Sequence, residues 1–417
     1  MKPKDITQSH YQLIVIGSGA AGMMSAIRAS REGRSVLLLE KLSKIGAKLK
    51  ATGGGRCNLT NTLGNEDFMA RFGRDGRFMS PALEALDYKA LMAFFTALGV
   101  ESHAPDGYRV FPITHSSSTI INAMQQEMQN LGIHVLCSQK VDTLVHDEGK
   151  VKGVQTQSDT FYADAVIIAT GGMGYPMLGA EGDGYPMATS VGHTVTDLFP
   201  AMMPLKVKER WVADCRADTL PKVSMYVNLK KYKKRSAKGD LIFTKGGIRG
   251  PVVLDFSREI TPLLSKFDEV PILANFTKGM NQEQLRTHFK DALAKDPHRN
   301  TLALIQTLLP SSVAIALCDI AQIDHSIGFT KLSGKNRDHL IELLAWTPLT
   351  INGHDGFKMA MITRGGISLK EIDPYTMQSK KLKGLYFCGE VMNIDGPCGG
   401  YNLQWSFASG YLAGNLG

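Results

Sequence analysis

Apolar positions along the chain fall into two patterns, short continuous runs and stripes of helical period. Leu13 to Ile16 are four consecutive apolar residues, which predict a parallel strand covered on both faces. After Gly17-Ser18-Gly19-Ala20-Ala21-Gly22, the positions Met23, Ala26, Ile27 and Ser30 share one helical face, and Gly33 ends the helix. A second strand, Ser35 to Leu39, ends on Glu40. Leu83, Leu86, Leu91, Phe95 and Leu98 predict a helix ending at Gly99. Ile120, Ile121, Met124, Met128 and Leu131 predict another, with Ser116 and Ser117 as candidate caps and Gly132 as its end. Gly107 to Ile113, between them, predicts a strand and a turn. Ile133 to Val145 predicts one or two strands. Lys150 to Gln157 and Thr160 to Ala163 form a small meander, and Ala165 onwards is a second buried strand that runs into Thr170-Gly171-Gly172.

The pattern changes from about Val195 to Asn352. Pro200, Pro204, Pro221 and Pro251 punctuate short apolar runs at Val223 to Leu229, Val252 to Phe256 and Val270 to Leu273, which predict a β-rich insertion. Helical stripes follow at Gln282 to Leu293, Thr301 to Leu309, Ser311 to Gln322 and Arg337 to Leu344. In the tail, Leu385 to Glu390 predicts a strand ending on Gly-Glu, a glycine turn spans Asp395 to Asn402, and a helix runs from about Leu403 to Leu416. The expected organisation is an α/β domain in two pieces, 1–195 and 353–417. They enclose an insertion at 196–352, β-rich over 196–278 and helical over 279–352.

Chemistry enters through the glycines. Strand, G-x-G-x-x-G, helix, second strand and acid occur in the order of a dinucleotide-binding turn. Gly17 permits the tight turn, Gly19 lets pyrophosphate approach the backbone, and Gly22 lets helix pack on strand. Glu40 lies 18 residues beyond Gly22 (40 − 22), where an acid binds a free ribose 2′-hydroxyl; FAD or NAD is expected over NADP. Thr52-Gly53-Gly54-Gly55-Arg56-Cys57-Asn58 suits a backbone lying close to a ligand, with Lys48 and Arg56 to neutralise phosphates; the alternative is a flexible surface loop. The glycine turn before the last helix is a second helix N-terminus, suited to the electron-rich carbonyl edge of a flavin, with Glu390 placed for a ribityl chain. No second complete G-x-G-x-x-G marks a standing nicotinamide site.

Composition sets the bounds. The 417 residues, 43% hydrophobic and 21% charged, allow two or three domains with a large core. Met1 to His10 is short and polar and lacks a signal peptide's apolar core. No run approaches the ~20 apolar residues of a membrane span, so a cytoplasmic protein without membrane contact is expected. Six cysteines include no C-x-x-C pair, which argues against a zinc or iron–sulfur site, and the size and compartment argue against a disulfide framework. A net charge of +8 hints at a polyanion such as RNA. Five of the six residues Lys230-Lys231-Tyr232-Lys233-Lys234-Arg235 are basic. They form either a solvated hairpin tip or a contact to RNA phosphates.

With TGGGRCN (Thr52 to Asn58), ATGG (Ala169 to Gly172), FTKGGIRGP (Phe243 to Pro251), GLYFCGE (Gly384 to Glu390) and GGYN (Gly399 to Asn402), the chain resembles the BaiN/RdsA-type, aminoacetone-oxidase-like family of FAD-dependent NAD(P)H oxidoreductases over nearly its whole length. The resemblance implies a Rossmann-like, two-dinucleotide-binding flavoprotein fold with an inserted domain. It assigns the FAD adenosine half to Gly17, Gly19, Ala20, Ala21, Gly22, Glu40 and Lys41. It places Lys48, Gly54, Arg56, Cys57, Asn58 and Thr60 around the rest of the cofactor, together with Val141, Ala169, Thr170 and Gly171. The tail adds Gly389, Glu390, Gly400, Tyr401, Asn402 and Leu403. The expected reductant is NADH or NADPH. The leading expected substrate is a uridine of large-subunit ribosomal RNA, reduced to dihydrouridine; alternatives are a steroid double bond, a small amine, or a flavin protein without catalysis. Cys57, Cys398, His115 and Tyr401 are the candidate proton donors. The chain departs from the family pattern at Thr244-Lys245, Arg249-Gly250-Pro251 and Asn393.

Overall fold

A computed structural model describes residues 10–416; the polar start, residues 1–9, and Gly417 lie outside the described residues. The chain divides into two compact units, one from Met1–Phe199 with Met361–Gly417, the other Pro200–Ala360.

The first unit is built on a seven-stranded sheet. Strand β1 (His10–Ile16) leads through the glycine turn into helix α1 (Ala20–Arg31) and returns as β2 (Val36–Leu39). Short helix α2 (Ala47–Ala51), strand β3 (Thr60–Asn61) and helix α3 (Asn65–Ala70) follow. The stripe from Leu83 to Leu98 is two helices rather than one, α4 (Ser80–Ala85) and α5 (Tyr88–Ala97). The break is a local hydrogen bond: the Asp87 carboxylate accepts from Ala90 N at 2.8 Å and caps α5, which is worth about 1 kcal/mol. Strands β4 (Ser102–His103) and β5 (Arg109–Pro112) precede helix α6 (Ser117–Asn130). Strands β6 (His134–Leu136), β7 (Val141–Asp147), β8 (Lys150–Thr156) and β9 (Thr160–Ile168) come next, then α7 (Gly184–Ser190). The returning segment of this unit adds β17 (Ile362–Arg364) and β18 (Leu385–Phe387).

The sequence pattern splits Thr160 to Ala169 into two strands, but β9 is continuous. β1 runs parallel along it from Tyr162 to Ile168, while on the other edge its first half pairs antiparallel with β8 and its second half parallel with β18. Alternating burial therefore gives way to Ala165, Val166, Ile167 and Ile168 all buried, because only the second half is covered on both faces. Helix α13 (Tyr401–Ala413) begins two residues earlier than its sequence pattern predicts. It packs along α1 through glycines: a Cβ on Gly410 would fall 2.3 Å from Ala21 O, and one on Gly414 2.5 Å from Ser25 O. The last helix of the chain thus lies directly beside the first.

The second unit is a closed barrel carrying helices. After the short strand β10 (Phe199–Ala201), the strands are β11 (Leu205–Val207), β12 (Thr219–Val227), β13 (Ser236–Thr244), β14 (Gly247–Arg249), β15 (Val270–Asn275) and β16 (Thr347–Gly353). They close antiparallel in the order β11-β14-β13-β12-β15-β16, which leaves no open sheet edge. Val252 to Phe256, read as a strand from its apolar run, lies instead in helix α8 (Pro251–Leu264). Pro251 starts that helix, and buried apolar residues recur along it at Val252, Val253, Phe256, Ile260 and Leu263. Helices α9 (Gln282–Lys295), α10 (Thr301–Ile305), α11 (Ser311–Ile320) and α12 (Gly334–Ala345) follow. Strand β16 comes after them and completes the barrel, so the β-rich part is not confined to 196–278. Leu285, Phe289, Leu317 and Leu344 share one core with barrel residues such as Met225, Phe243 and Ile272.

Candidate cofactor and active site

At the first glycine turn each glycine meets a different steric demand. A Cβ on Gly17, whose φ is +98°, would lie 2.7 Å from Ala169 O, and one on Gly22 only 1.9 Å from Gly17 O. Around Gly19 a Cβ would meet nothing within 4 Å. Two glycines are therefore consumed by packing, and the third leaves space at the helix end. No side chain caps α1 and no acid stands in its first turn, so its leading N–H groups, over the small residues Ala20 and Ala21, are open to an anion. Glu40, buried at the end of β2, accepts from Ser18 N at 2.9 Å, from Ser18 Oγ at 2.5 Å and from Leu42 N at 2.8 Å. Its carboxylate is thereby fixed beside the turn. Lys41 is paired with Glu181 at 2.6 Å and with Asp183; it is an ion-pair partner at the mouth of α7.

The TGGGRCN segment is a tight turn, not a free loop. Gly53 and Gly54 are left-handed within a 3-10 turn over Thr52–Gly55. Arg56 is exposed, donates through Nε to Gly53 O at 3.2 Å, and lies over the Phe111 ring at 5.5 Å. Cys57 is fully buried with φ +59°. Burial pushes its thiol up to about 12 against a hydrogen bond with Thr52 that lowers it, so at neutral pH it holds its proton and is sealed from solvent. Asn58, with its amide nitrogen toward the carbonyls of Thr60 (2.9 Å) and Val110 (3.2 Å), accepts from Gly400 N at 3.0 Å. A Cβ on Gly400, where φ is +85°, would fall 2.5 Å from Thr60 O. The early and late glycine motifs are thus held in contact by hydrogen bonding and by the absence of a side chain.

Ala169, Thr170 and Gly171 leave the end of β9 beside Gly17, and Thr170 Oγ1 is buried without a hydrogen-bond partner. Val141 is buried at the start of β7, opposite Thr156. Gly389 N donates to Ser409 Oγ at 2.9 Å, and a Cβ on Gly389 would lie 2.9 Å from that of Ala21. Glu390 accepts from Thr363 N at 2.8 Å and pairs with Lys48 at 2.7 Å. Lys48, expected at a phosphate, therefore neutralises this carboxylate. Asn402 closes the turn before α13, accepting from Gly396 N at 2.7 Å and donating to Gly396 O at 2.9 Å. Leu403 is half-buried.

The four candidate proton donors separate. Cys57 is enclosed and Cys398 is exposed. His115 is exposed, with φ +48°, and its Nε2 meets His103 Nε2 at 3.0 Å. Tyr401 is buried against Phe68 and Phe72, with ring centroids at 4.9 and 6.0 Å, and its hydroxyl bonds that of Tyr108. Sequence reasoning missed Tyr108, His103 and the group around Arg364. Arg364 Nη1 lies 3.8 Å from Asp395 Oδ2. Burial and the Asp395 charge raise the Asp75 carboxyl, against Arg364 and Arg74. Asp395 opens the glycine turn before the last helix; the others sit in no motif, and no sequence signal marks them.

Together these features fit FAD. An uncapped helix end faces open space at Gly19, a buried carboxylate stands beside the turn at the end of β2, and a buried threonine hydroxyl lacks a partner. No cluster of three metal-ligating side chains occurs among the described residues. No helix among them is long and apolar enough to cross a membrane.

The family model described as the HI0933-like protein Rossmann domain matches residues 11–416. A 3-dehydro-bile acid delta(4,6)-reductase of Clostridium scindens is 32% identical over 96% of this chain and 97% of its own. A ribosomal RNA dihydrouridine synthase of Haemophilus influenzae is 29% identical over 95% of this chain and 96% of its own. Among solved structures, a 3-ketosteroid delta1-dehydrogenase of Sterolibacterium denitrificans superposes with a TM-score of 0.53 at 12% identity, covering 98% of this chain and 99% of that one; it attests the fold alone. The chain belongs to the HI0933-like family and is an FAD-dependent oxidoreductase of Rossmann-type flavoprotein fold.

Proposed function

We propose that this enzyme uses NADH or NADPH to reduce a carbon–carbon double bond, and that its substrate is a uridine of large-subunit ribosomal RNA, which becomes dihydrouridine. The observation that carries this reading is the match, over nearly the full length of both chains, to two proteins named ribosomal RNA dihydrouridine synthase, from Haemophilus influenzae and Escherichia coli, at 29% and 28% identity. The Clostridium scindens relative is named a reductase of another unsaturated compound, so double-bond reduction is common to all three.

Bound FAD would supply the hydride chemistry, and the protein supplies position and electrostatics. The α1 N-terminus, with Gly19 beside it, would receive the pyrophosphate and Glu40 the ribose. Glu390, held by Lys48 and Thr363 N, would stand at the ribityl chain. The α13 N-terminus carries no side-chain cap and would place its positive end at the electron-rich edge of the ring.

In the barrel unit, Lys230–Tyr232 form the turn joining β12 to β13. Lys230, Lys231, Lys233 and Lys234 are exposed. Arg235 is not among them: it donates to Glu259 O at 3.0 Å and lies over the Tyr232 ring at 5.0 Å. A turn with four solvent-facing lysines suits RNA phosphates. Because the Clostridium scindens relative, at 32% identity, is named a bile acid reductase, a small enone is the second reading.

Nucleoside mass spectrometry of ribosomal RNA from a deletion strain, with and without the gene restored, tests the choice. Loss and recovery of one dihydrouridine is expected. A dihydrouridine content unchanged by the deletion would overturn the RNA reading in favour of the small molecule.

A further inference from the structure

The geometry points to Tyr108 as the proton donor of the double-bond reduction, with Tyr401 as the residue that positions it and stabilises its anion; this rests on the proposed reaction. Tyr108 lies between β4 and β5 and is half-buried, whereas Tyr401 behind it is buried at the first turn of α13. Their hydroxyl oxygens are hydrogen-bonded.

The small sheet β3-β5-β4 braces this pair between the two glycine motifs. Thr60 pairs with Val110, Asn61 Nδ2 donates to Gly399 O at 2.9 Å, and Thr62 N donates to Tyr108 O at 3.0 Å. A Cβ on Gly399 would come within 3.5 Å of both tyrosine rings, so Tyr108 stands at the turn that leads into α13. Of the four donors expected from sequence, Cys57 and Tyr401 are closed off from solvent. Tyr108 is the member of the phenol pair with an outward face.

Two phenols in contact have one proton between their oxygens. When one loses its outer proton, the other's O–H donates into the new anion, and charge-assisted hydrogen bonds are the stronger kind. The α13 N-terminus adds positive potential at Tyr401. The step balances. Hydride addition, whose electron pair comes from the FAD-dependent chemistry, leaves negative charge beside the reduced carbon. The Tyr108 O–H bond breaks, its proton forms the new C–H bond, and the electron pair remains on the Tyr108 oxygen. Tyr401 O–H donates to that phenolate until solvent returns a proton.

The test uses the FAD-loaded full chain and Tyr108→Phe and Tyr401→Phe variants. Ribosomal RNA from a strain lacking the enzyme and 2-cyclohexen-1-one are offered in parallel as acceptors. With flavin content and melting temperature matched, Tyr108→Phe should slow acceptor reduction at least about a hundredfold and leave flavin reduction by NAD(P)H unchanged. Tyr401→Phe should slow it about tenfold. In the protein without substrate, ultraviolet resonance Raman should show the same lost phenol–phenol hydrogen bond in both variants. Acceptor reduction at the wild-type rate in Tyr108→Phe, or a remaining tyrosine whose Raman bands keep their wild-type hydrogen-bonded positions in both variants, would overturn the assignment. A wild type that reduces only the enone defeats the RNA reading and leaves Tyr108 to be judged on the enone. A wild type that reduces neither defeats both.

Discussion

Lys48 Nζ lies 2.7 Å from Glu390 Oε2, a contact that spans 342 positions of sequence. It joins the helix ahead of TGGGRCN to the Gly-Glu at the end of β18, and neither side chain is far exposed, at 23% and 18%. Glu390 accepts a second bond from Thr363 N, so removing the Lys48 charge leaves the carboxylate held in place without compensation.

The pair should therefore behave as a coupled unit in cofactor binding. Lys48→Met and Glu390→Gln are each expected to weaken FAD roughly tenfold, read by quenching of flavin fluorescence. The double variant should fall short of the product, with a coupling of about 0.5–1.4 kcal/mol. Strict additivity would mean that the two side chains act on the cofactor separately.

Gly19 and Gly22 should fail in different ways. Gly22→Ala drives a methyl into Gly17 O and should cost about 3 kcal/mol of stability, seen as a lowered denaturant midpoint without FAD. Gly19→Ala meets nothing in the protein, so its midpoint should match wild type while FAD affinity drops. If Gly19→Ala binds FAD normally, pyrophosphate does not pass there.

Acid should weaken the first unit in two stages. His193 is lowered by burial, against the pull of Glu371, whose Oε2 is 3.3 Å from Nδ1. A histidine lowered on folding contributes stability that is lost as pH falls below its unfolded value of about 6.5. Burial acts to raise Glu371, but Thr194 N–H, Lys381 and the Thr194 hydroxyl outweigh it and hold the carboxyl at about 2. Its contribution is present above about 4.3 and is lost as pH falls towards 2. Melting temperatures from pH 7 to pH 2 should decline in both windows, with the upper decline absent in His193→Gln and the lower one reduced in Glu371→Gln.

The lysine turn should matter to the substrate and not to the fold. Lys231→Glu, Lys233→Glu and Lys234→Glu together should abolish ribosomal RNA modification, spare NAD(P)H-driven flavin reduction, and flatten the salt dependence of RNA binding by about two to three units of log–log slope. Arg235→Ala, which breaks the contacts to Glu259 and Tyr232, should instead lower stability. Normal modification by the triple variant would remove the turn from the RNA-binding surface.

Much of the fold is legible along the chain, because local rules settle it. The first βαβ unit, the meander, and helices α6, α9 and α11 follow from periodicity, glycine stops and capping residues within a dozen positions of one another. Where the reading departs from the structure, one interaction decides. Asp87 breaks a continuous stripe into two helices. The run from Val252 to Phe256 is compatible with a strand, and Pro251 with the apolar residues further on makes it a helix. Thr160 to Ile168 is one strand whose two halves have different neighbours, which no periodicity within it reveals.

The site divides the same way. Neighbouring residues suffice to specify the glycine turn, the acid at 40 and the two further glycine motifs, since each is a local backbone requirement. Packing alone settles that Lys48 neutralises Glu390, that Asn58 and Thr60 seat Gly400, that Cys57 is sealed, and that Tyr108 meets Tyr401. These are contacts between positions tens to hundreds of residues apart, made when the sheet brings β1, β9 and β18 side by side and α13 settles against α1. A side chain's type is written in the chain, but its partner and its access to solvent are set by packing.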